Sequence, residues 1–206
     1  MSINAKVGQT ITLGSYPQSD VTGQKKDPIE WKVLKVDGDK ALVVSVLGLD
    51  NVMFNSLNTS VTWATAEIRP WLNGEFMNAA FTADEQAQIV ESTINTTASI
   101  ARRPSAASQG CGETVDKIFC LSREEVEETM PTEADRTCVP SAYCKAKGAF
   151  AHASNGNCWW WLRTPDIISS SAVPVYDDGS ILYTGDGVTD ELGTVRPAMW
   201  IDLTSD

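Results

Sequence analysis

A chain of 206 residues, 42% hydrophobic and 21% charged, has the make-up of a globular domain with a sizeable core. Sixteen Lys and Arg against 27 Asp and Glu give a net charge of −11, which argues against binding to nucleic acid or anionic membrane surfaces and favours a cationic partner. No apolar run reaches the ~20 residues of a membrane helix, and the start, MSINAKVGQTITLG, lacks the pattern of a signal peptide, so no membrane insertion is expected and the chain is read as intracellular, released by lysis or exported by another route.

In chain order, Thr10 to Leu13 alternates apolar and polar residues and reads as a strand, broken by Gly14, Tyr16 and Pro17. Residues 19–27 form a polar loop. Ile29 to Val36 alternates as a half-buried strand does, Asp37-Gly38-Asp39 is a hairpin turn, and Ala41 to Leu47 is a buried strand paired with the one before. Residues 50–60 are loop-like. Ile68, Leu72 and Phe76 then fall four apart, one face of a helix capped by Thr65, with a distorted start at Pro70 and an end or kink at Asn73-Gly74.

Thr82-Ala83-Asp84-Glu85 is a capping box opening a short helix through Ile89. Residues 92–114, rich in Ser, Thr, Ala and Gly and including Arg102, Arg103 and Pro104, show no steady period and read as a long surface loop. Residues 117–121 form a short strand. Ser122 to Glu125 is a second capping box, opening a helix stopped at Pro131. A further helix is expected at 141–147, stopped by Gly148, followed by a loop at 149–157.

The last stretch supplies strands at about 159–164, 172–177, 180–184 and 195–202, with Asp178-Gly179 as a hairpin turn between the middle two. Trp159, Trp160 and Trp161 are read as packing residues, although alternation along a strand exposes at least one of them. Strands at both chain ends with helices between them predict an α+β domain in which the termini meet in one sheet.

Candidate chemistry is sparse. His152 is the only histidine, no CxxC occurs, and no acidic run has calcium-loop spacing, so neither a metal nor a cofactor is expected. The five cysteines, Cys111, Cys120, Cys138, Cys144 and Cys158, read as free buried thiols, with a Cys138–Cys144 disulfide left open. Cys158 with His152 forms a conceivable nucleophile pair but lacks an orienting carboxylate. Gly185-x-Gly187 lacks the strand-to-helix setting of a phosphate loop. Arg163 and Arg196, inside apolar runs, are expected to be structural.

Several motifs together carry a resemblance: Gly14-Ser15-Tyr16-Pro17-Gln18, Pro28 to Leu34, Ile68-Arg69-Pro70-Trp71-Leu72-Asn73, Asp116 to Ser122, Trp160 to Pro165 and Val195 to Ile201. They resemble an uncharacterised family of bacterial and phage domains with a C-type-lectin-like fold of the formylglycine-generating-enzyme type. The resemblance implies one C-type-lectin-like domain over 1–206, with a mixed or antiparallel sheet, flanking helices and long loops. It is similar also to the variable proteins of diversity-generating retroelements, in which adenine-directed mutagenesis rewrites a ligand surface near the C-terminus.

That similarity implies a non-enzymatic binding protein, intracellular or phage-particle-associated, with a ligand-binding region within about 159–200 and a protein as ligand. Tyr176 and Tyr183 are the expected anchors, since Tyr among Ser, Gly and Asp combines rigid contact area with adaptable hydrogen bonding. Asp166, Ile167, Ser169, Ser170, Asp178, Asp186, Thr189, Asp190 and Glu191 are the expected surrounding contacts. A diverged enzyme of the same fold and a structural phage or surface component are the alternatives. Nothing in the sequence sets an oligomeric state.

Overall fold

The computed structural model describes residues 5–97, 110–182 and 184–204. β1 (Thr10–Tyr16), β2 (Asp27–Asp37) and β3 (Lys40–Ser45) form an antiparallel meander. Alternation along β2 sends Ile29, Trp31 and Val33 into the core and leaves Glu30 and Lys35 outside. The Asp37-Gly38-Asp39 turn joins β2 to β3, with Gly38 at φ +59°, where a side chain is disfavoured.

β13 (Ala198–Asp202) lies antiparallel against β3, from Ala198 opposite Val44 to Asp202 opposite Lys40. The two ends of the chain therefore share one sheet, as the sequence predicts. Its order is β1-β2-β3-β13-β5, with β5 at Ile89–Val90, and β8 (Ile118–Phe119) also pairs with β13. A second sheet runs β11-β10-β9-β12-β4. Its strands are β4 (Asp50–Asn51), β9 (Trp160–Pro165), β10 (Ser171–Val175), β11 (Asp186–Gly187) and β12 (Thr194–Val195). Among the strand pairs of the described residues, only β9 with β12 is parallel. The class is α+β with mostly antiparallel sheets, as expected.

The strand expected at 195–202 is in fact two. β12 belongs to the second sheet and β13 to the first, and Arg196-Pro197 makes the crossing. Proline has no N–H to give a ladder, so the run breaks there. The corner is nonetheless bonded: Ser45 N donates to Pro197 O at 3.0 Å, and Arg196 Nε donates to Ser45 O at 2.9 Å.

The helix expected from Thr65 starts later and changes form. It runs as α1 (Ile68–Trp71), a π-helical turn (Leu72–Phe76) and α2 (Met77–Ala80), with Glu67 rather than Thr65 at the cap position. Pro70 falls in the first turn, where a missing N–H costs nothing. Asn73-Gly74 neither ends nor breaks the run; it lies in the π turn. Asn73 there bonds β8, donating to Ile118 O at 2.8 Å and accepting from Lys117 N and Ile118 N.

Both predicted capping boxes form, at Thr82/Glu85 before α3 (Ala83–Gln88) and Ser122/Glu125 before α4 (Arg123–Thr129). A third, Thr132/Asp135, opens α5 (Glu133–Arg136), which the sequence reading missed. α6 (Ala142–Ala146) is capped by Ser141 and followed by Gly148.

The loop expected over 92–114 is corrected. β6 (Ser92–Thr96) and β7 (Gly112–Asp116) pair antiparallel from Ser92 opposite Asp116 to Thr96 opposite Gly112. Its centre, with Arg102, Arg103 and Pro104, lies outside the described residues. The strand expected at 180–184 is also corrected: residues 180–182 and 184 are not strand, and the chain returns to β10 only at β11.

Trp159, Trp160 and Trp161 are all buried, so no tryptophan of the run faces water. Every residue of β9 is buried, because both faces of the strand are covered. Trp31, Trp63, Trp160, Trp161, Phe76 and Phe119 are the largest fully buried side chains and belong to one continuous core. Among the described residues, no helix is long and apolar enough to cross a membrane.

Candidate functional site

The predicted contact segment rises from a buried base. β9 and β10 are buried throughout, and their neighbours fix them by side-chain bonds to backbone. Trp160 Nε1 donates to Arg136 O at 3.1 Å, and Trp161 Nε1 to Val52 O at 3.2 Å. Arg163 holds Glu125 with both terminal nitrogens, at 2.6 and 2.8 Å, and also donates to Cys120 O and Asn95 O. Arg163 is structural, as its apolar setting predicts, and so is Arg196 at the sheet corner.

Asp166 follows β9 and is fully buried. Its Oδ1 accepts from Ile167 N at 2.6 Å, and its Oδ2 has no hydrogen-bond partner among the described residues. The residue expected at the rim of the contact surface therefore sits beneath it. Polar character pointed to the surface, but its place at the end of a doubly covered strand decided otherwise.

Ile167, Ser169 and Ser170 are half-buried in a tight turn between β9 and β10. The turn is held by backbone bonds: Ser171 N to Ile168 O, Val61 N to Ser169 O, and Val188 N to Ser170 O. Beyond β10, Tyr176 is half-buried and donates its hydroxyl to Thr184 O at 3.2 Å. Burial and the Asp186 carboxylate push its pKa up to about 12. Asp178 is exposed and accepts from Ser180 N at 2.9 Å, closing the predicted turn. Bonds from Ser180 hold its carboxyl below the ordinary range. Tyr183 lies outside the described residues, so its pairing with Tyr176 is not part of the described geometry.

Asp186, Thr189 and Asp190 are half-buried, and Glu191 is exposed. Asp190 accepts from Leu192 N at 2.8 Å. Burial, then the neighbouring charges of Asp190 and Asp166, raise the Asp186 carboxyl above its ordinary value. The segment 166–192 holds six acidic residues, Asp166, Asp177, Asp178, Asp186, Asp190 and Glu191, and no Lys, Arg or His.

Apolar residues at this end were not foreseen. Ile168, Leu182 and Leu192 are 55%, 49% and 48% exposed, and Leu57 on the adjoining loop is 63% exposed. That loop is bonded to the segment through Asn55 N to Val188 O and Val61 N to Ser169 O. Beside it, a cleft of about 430 Å³ is lined by Asn51, Val52, Met53, Lys147, Glu191 and Leu192. Lys147 is committed to Asp50 at 2.6 Å. Periodicity could not have found these residues, because they lie on turns.

The conceivable Cys158–His152 pair does not form. The His152 ring bonds Ser154 at 2.9 Å, and the buried Cys158 thiol faces Cys138 O at 3.4 Å. All five cysteines are free, and Cys138 lies opposite Cys158 rather than Cys144. Among the described residues, no three His, Cys, Asp or Glu side chains are grouped to hold a metal ion.

Residues 38–203 match the family described as "Domain of unknown function (DUF6273)". No curated protein and no solved structure matches the chain.

Proposed function

We propose that this chain, which belongs to the DUF6273 family, is a non-enzymatic binding protein, a single C-type-lectin-like domain that presents residues 167–192 and the loop around Leu57 to a basic protein surface. The observation that carries the reading is the make-up of that end: five acidic residues, Asp177, Asp178, Asp186, Asp190 and Glu191, with no basic one in 167–192, and exposed leucines and isoleucine among them. Apolar contacts supply affinity at the centre of such an interface, while charge selects and steers the partner. A sheet in which the two chain ends meet, with a second mostly antiparallel sheet beside it in the chain, supports the lectin-like fold. Tyr176 is the rigid anchor in this reading. Asp166, being buried, supports the surface without contacting the partner.

In the same reading the displayed codons are the ones rewritten by adenine-directed mutagenesis. Substitutions should then fall on Ile168, Asp178, Leu182, Thr184, Glu191 and Leu192, and spare the buried Asp166, Val173 and Val188. Deep sequencing of this coding region from its native population tests the diversification. A uniform sequence with no near-copy template nearby would remove it and leave a fixed binding surface.

The binding itself is tested on an array of Lys/Arg-rich and Asp/Glu-rich peptides. Salt-sensitive binding to the basic set, lost in Tyr176→Ala, is the expected result. Equal binding to both sets, or none to either, would overturn the proposal.

A further inference from the structure

We propose that Cys138 and Cys158 are a modification site: a buried thiol pair that hydrogen peroxide closes into a disulfide. The two residues are directly opposite each other in an isolated antiparallel bridge. Cys158 N donates to Cys138 O at 2.8 Å, and the Cys158 thiol approaches the same carbonyl at 3.4 Å. Opposed residues of a hydrogen-bonded antiparallel pair have Cα atoms about 5.5 Å apart, inside the disulfide range of about 4.4–6.8 Å. Both side chains are buried at this bridge.

The environment divides the labour. The neighbouring Cys158 thiol, helped by the Arg196 guanidinium, outweighs burial and draws the Cys138 thiol below its ordinary value. The bond to Cys138, with burial, drives Cys158 the other way. Cys138 is therefore the nucleophile and Cys158 the resolving thiol. The other buried thiols are poorer candidates. Burial pushes Cys120 up to about 12, and burial and Asp50 raise Cys144.

The Cys138 thiolate attacks one peroxide oxygen, the O–O bond breaks, and sulfenic acid and hydroxide form. Cys158 sulfur then attacks the sulfenic sulfur, the S–O bond breaks, and its thiol proton leaves with the hydroxide as water. Two thiols and one peroxide thus give one disulfide and two waters. Cys138 keeps 3% of its surface exposed and Cys158 none, so Cys138 is the thiol that a molecule as small as peroxide meets first. The new bond would close the chain over 138–158, tying α6 and the following loop to the start of β9.

The test is peptide mapping of the full chain after hydrogen peroxide, alkylation and trypsin without reductant. A peptide joining 137–145 to 148–163, released by dithiothreitol, is expected, together with a higher melting temperature of the oxidised protein. Cys144 shares a tryptic peptide with Cys138, so Cys144→Ser must keep the link and Cys138→Ser must lose it. Three results would overturn the proposal: a link that survives Cys138→Ser, sulfinic acid on Cys138 in place of the link, or both thiols unmodified once Cys111 has been oxidised.

Discussion

β9 and the segment that follows it are built by opposite rules. In β9 every residue is buried and the large side chains with a polar tip have a named partner: Trp160 with Arg136 O, Trp161 with Val52 O, Arg163 with Glu125. In 176–192 Asp178 and Asp190 fold back on their own turns, onto Ser180 N and Leu192 N, and Leu182 and Leu192 stand half in solvent. The segment is held instead by its backbone, with Asn157 Nδ2 on Asp177 O and Asn51 Nδ2 on Glu191 O and Gly193 O. A surface whose position is set by main chain can exchange its side chains without moving. That is the physical requirement for a site whose specificity changes while its scaffold does not.

The comparison breaks if the base tolerates change. Arg163→Met should be the most damaging substitution, because it leaves Glu125 and two backbone carbonyls without their cation. Glu125 is 26% exposed, which places the expected loss near about 3 kcal/mol, the lower end for a broken buried pair. Denaturant unfolding measures it, and a loss below about 1 kcal/mol would mean the base is not rigid.

Next comes the place where the two regions touch. Gly179, in the Asp178 turn, has φ +86°, and an added Cβ would collide with the backbone of Glu133 in α5. Gly179→Ala should cost about 1–3 kcal/mol and lift the turn from α5. Reduced binding with a smaller stability loss than Arg163→Met would show that the turn's position, not only its side chains, matters.

The displayed face should behave in the opposite way. Asp178→Asn with Asp190→Asn keeps both turn acceptors, since an amide oxygen accepts as a carboxylate does. Stability should change by less than about 0.5 kcal/mol each. Affinity for basic peptides should fall, and its dependence on salt should weaken. An unchanged salt slope would detach the acidic cluster from recognition.

How legible each region was follows from what holds it. β2 was visible because Ile29, Trp31 and Val33 alternate with polar residues, and α3 and α4 because Thr82/Glu85 and Ser122/Glu125 spell their caps. α5 carries the same cap with Asp135 in place of Glu or Gln, and was missed. β6 and β7 were read as loop because Ile94 is the one apolar residue among the buried residues of that ladder, the others being Thr96, Thr114 and Asp116, so apolar periodicity has almost nothing to register there. Asp116 is tolerated inside because Trp63, Arg69 and Thr114 all donate to it. In the candidate site, the Asp178-Gly179 turn was legible and the burial of Asp166 was not. The exposed Ile168, Leu182, Leu192 and Leu57 follow no pattern that distinguishes a displayed apolar residue from a core one.

The smallest expected effect separates Asp186 from Asp178, two acids on the same face with opposite shifts. Burial, Asp190 and Asp166 raise the folded Asp186 carboxyl, so the folded chain binds more protons than the unfolded one between the two pKa values. Stability therefore falls as pH rises from the ordinary carboxylate range through the folded value, and the penalty persists above it. Asp178 is lowered by its Ser180 bonds, so its contribution is present above the ordinary range and is lost as pH falls through its folded value. Asp186→Asn should stabilise the protein at neutral pH by under about 0.5 kcal/mol once solvent screening is allowed for, and should flatten the decline with pH. Asp178→Asn should instead remove the small gain that appears as pH rises. If the two variants tilt the pH profile the same way, the half-buried cluster around Asp186 is as solvated as the turn at Asp178, and the division between a pinned and a displayed layer does not run through this segment.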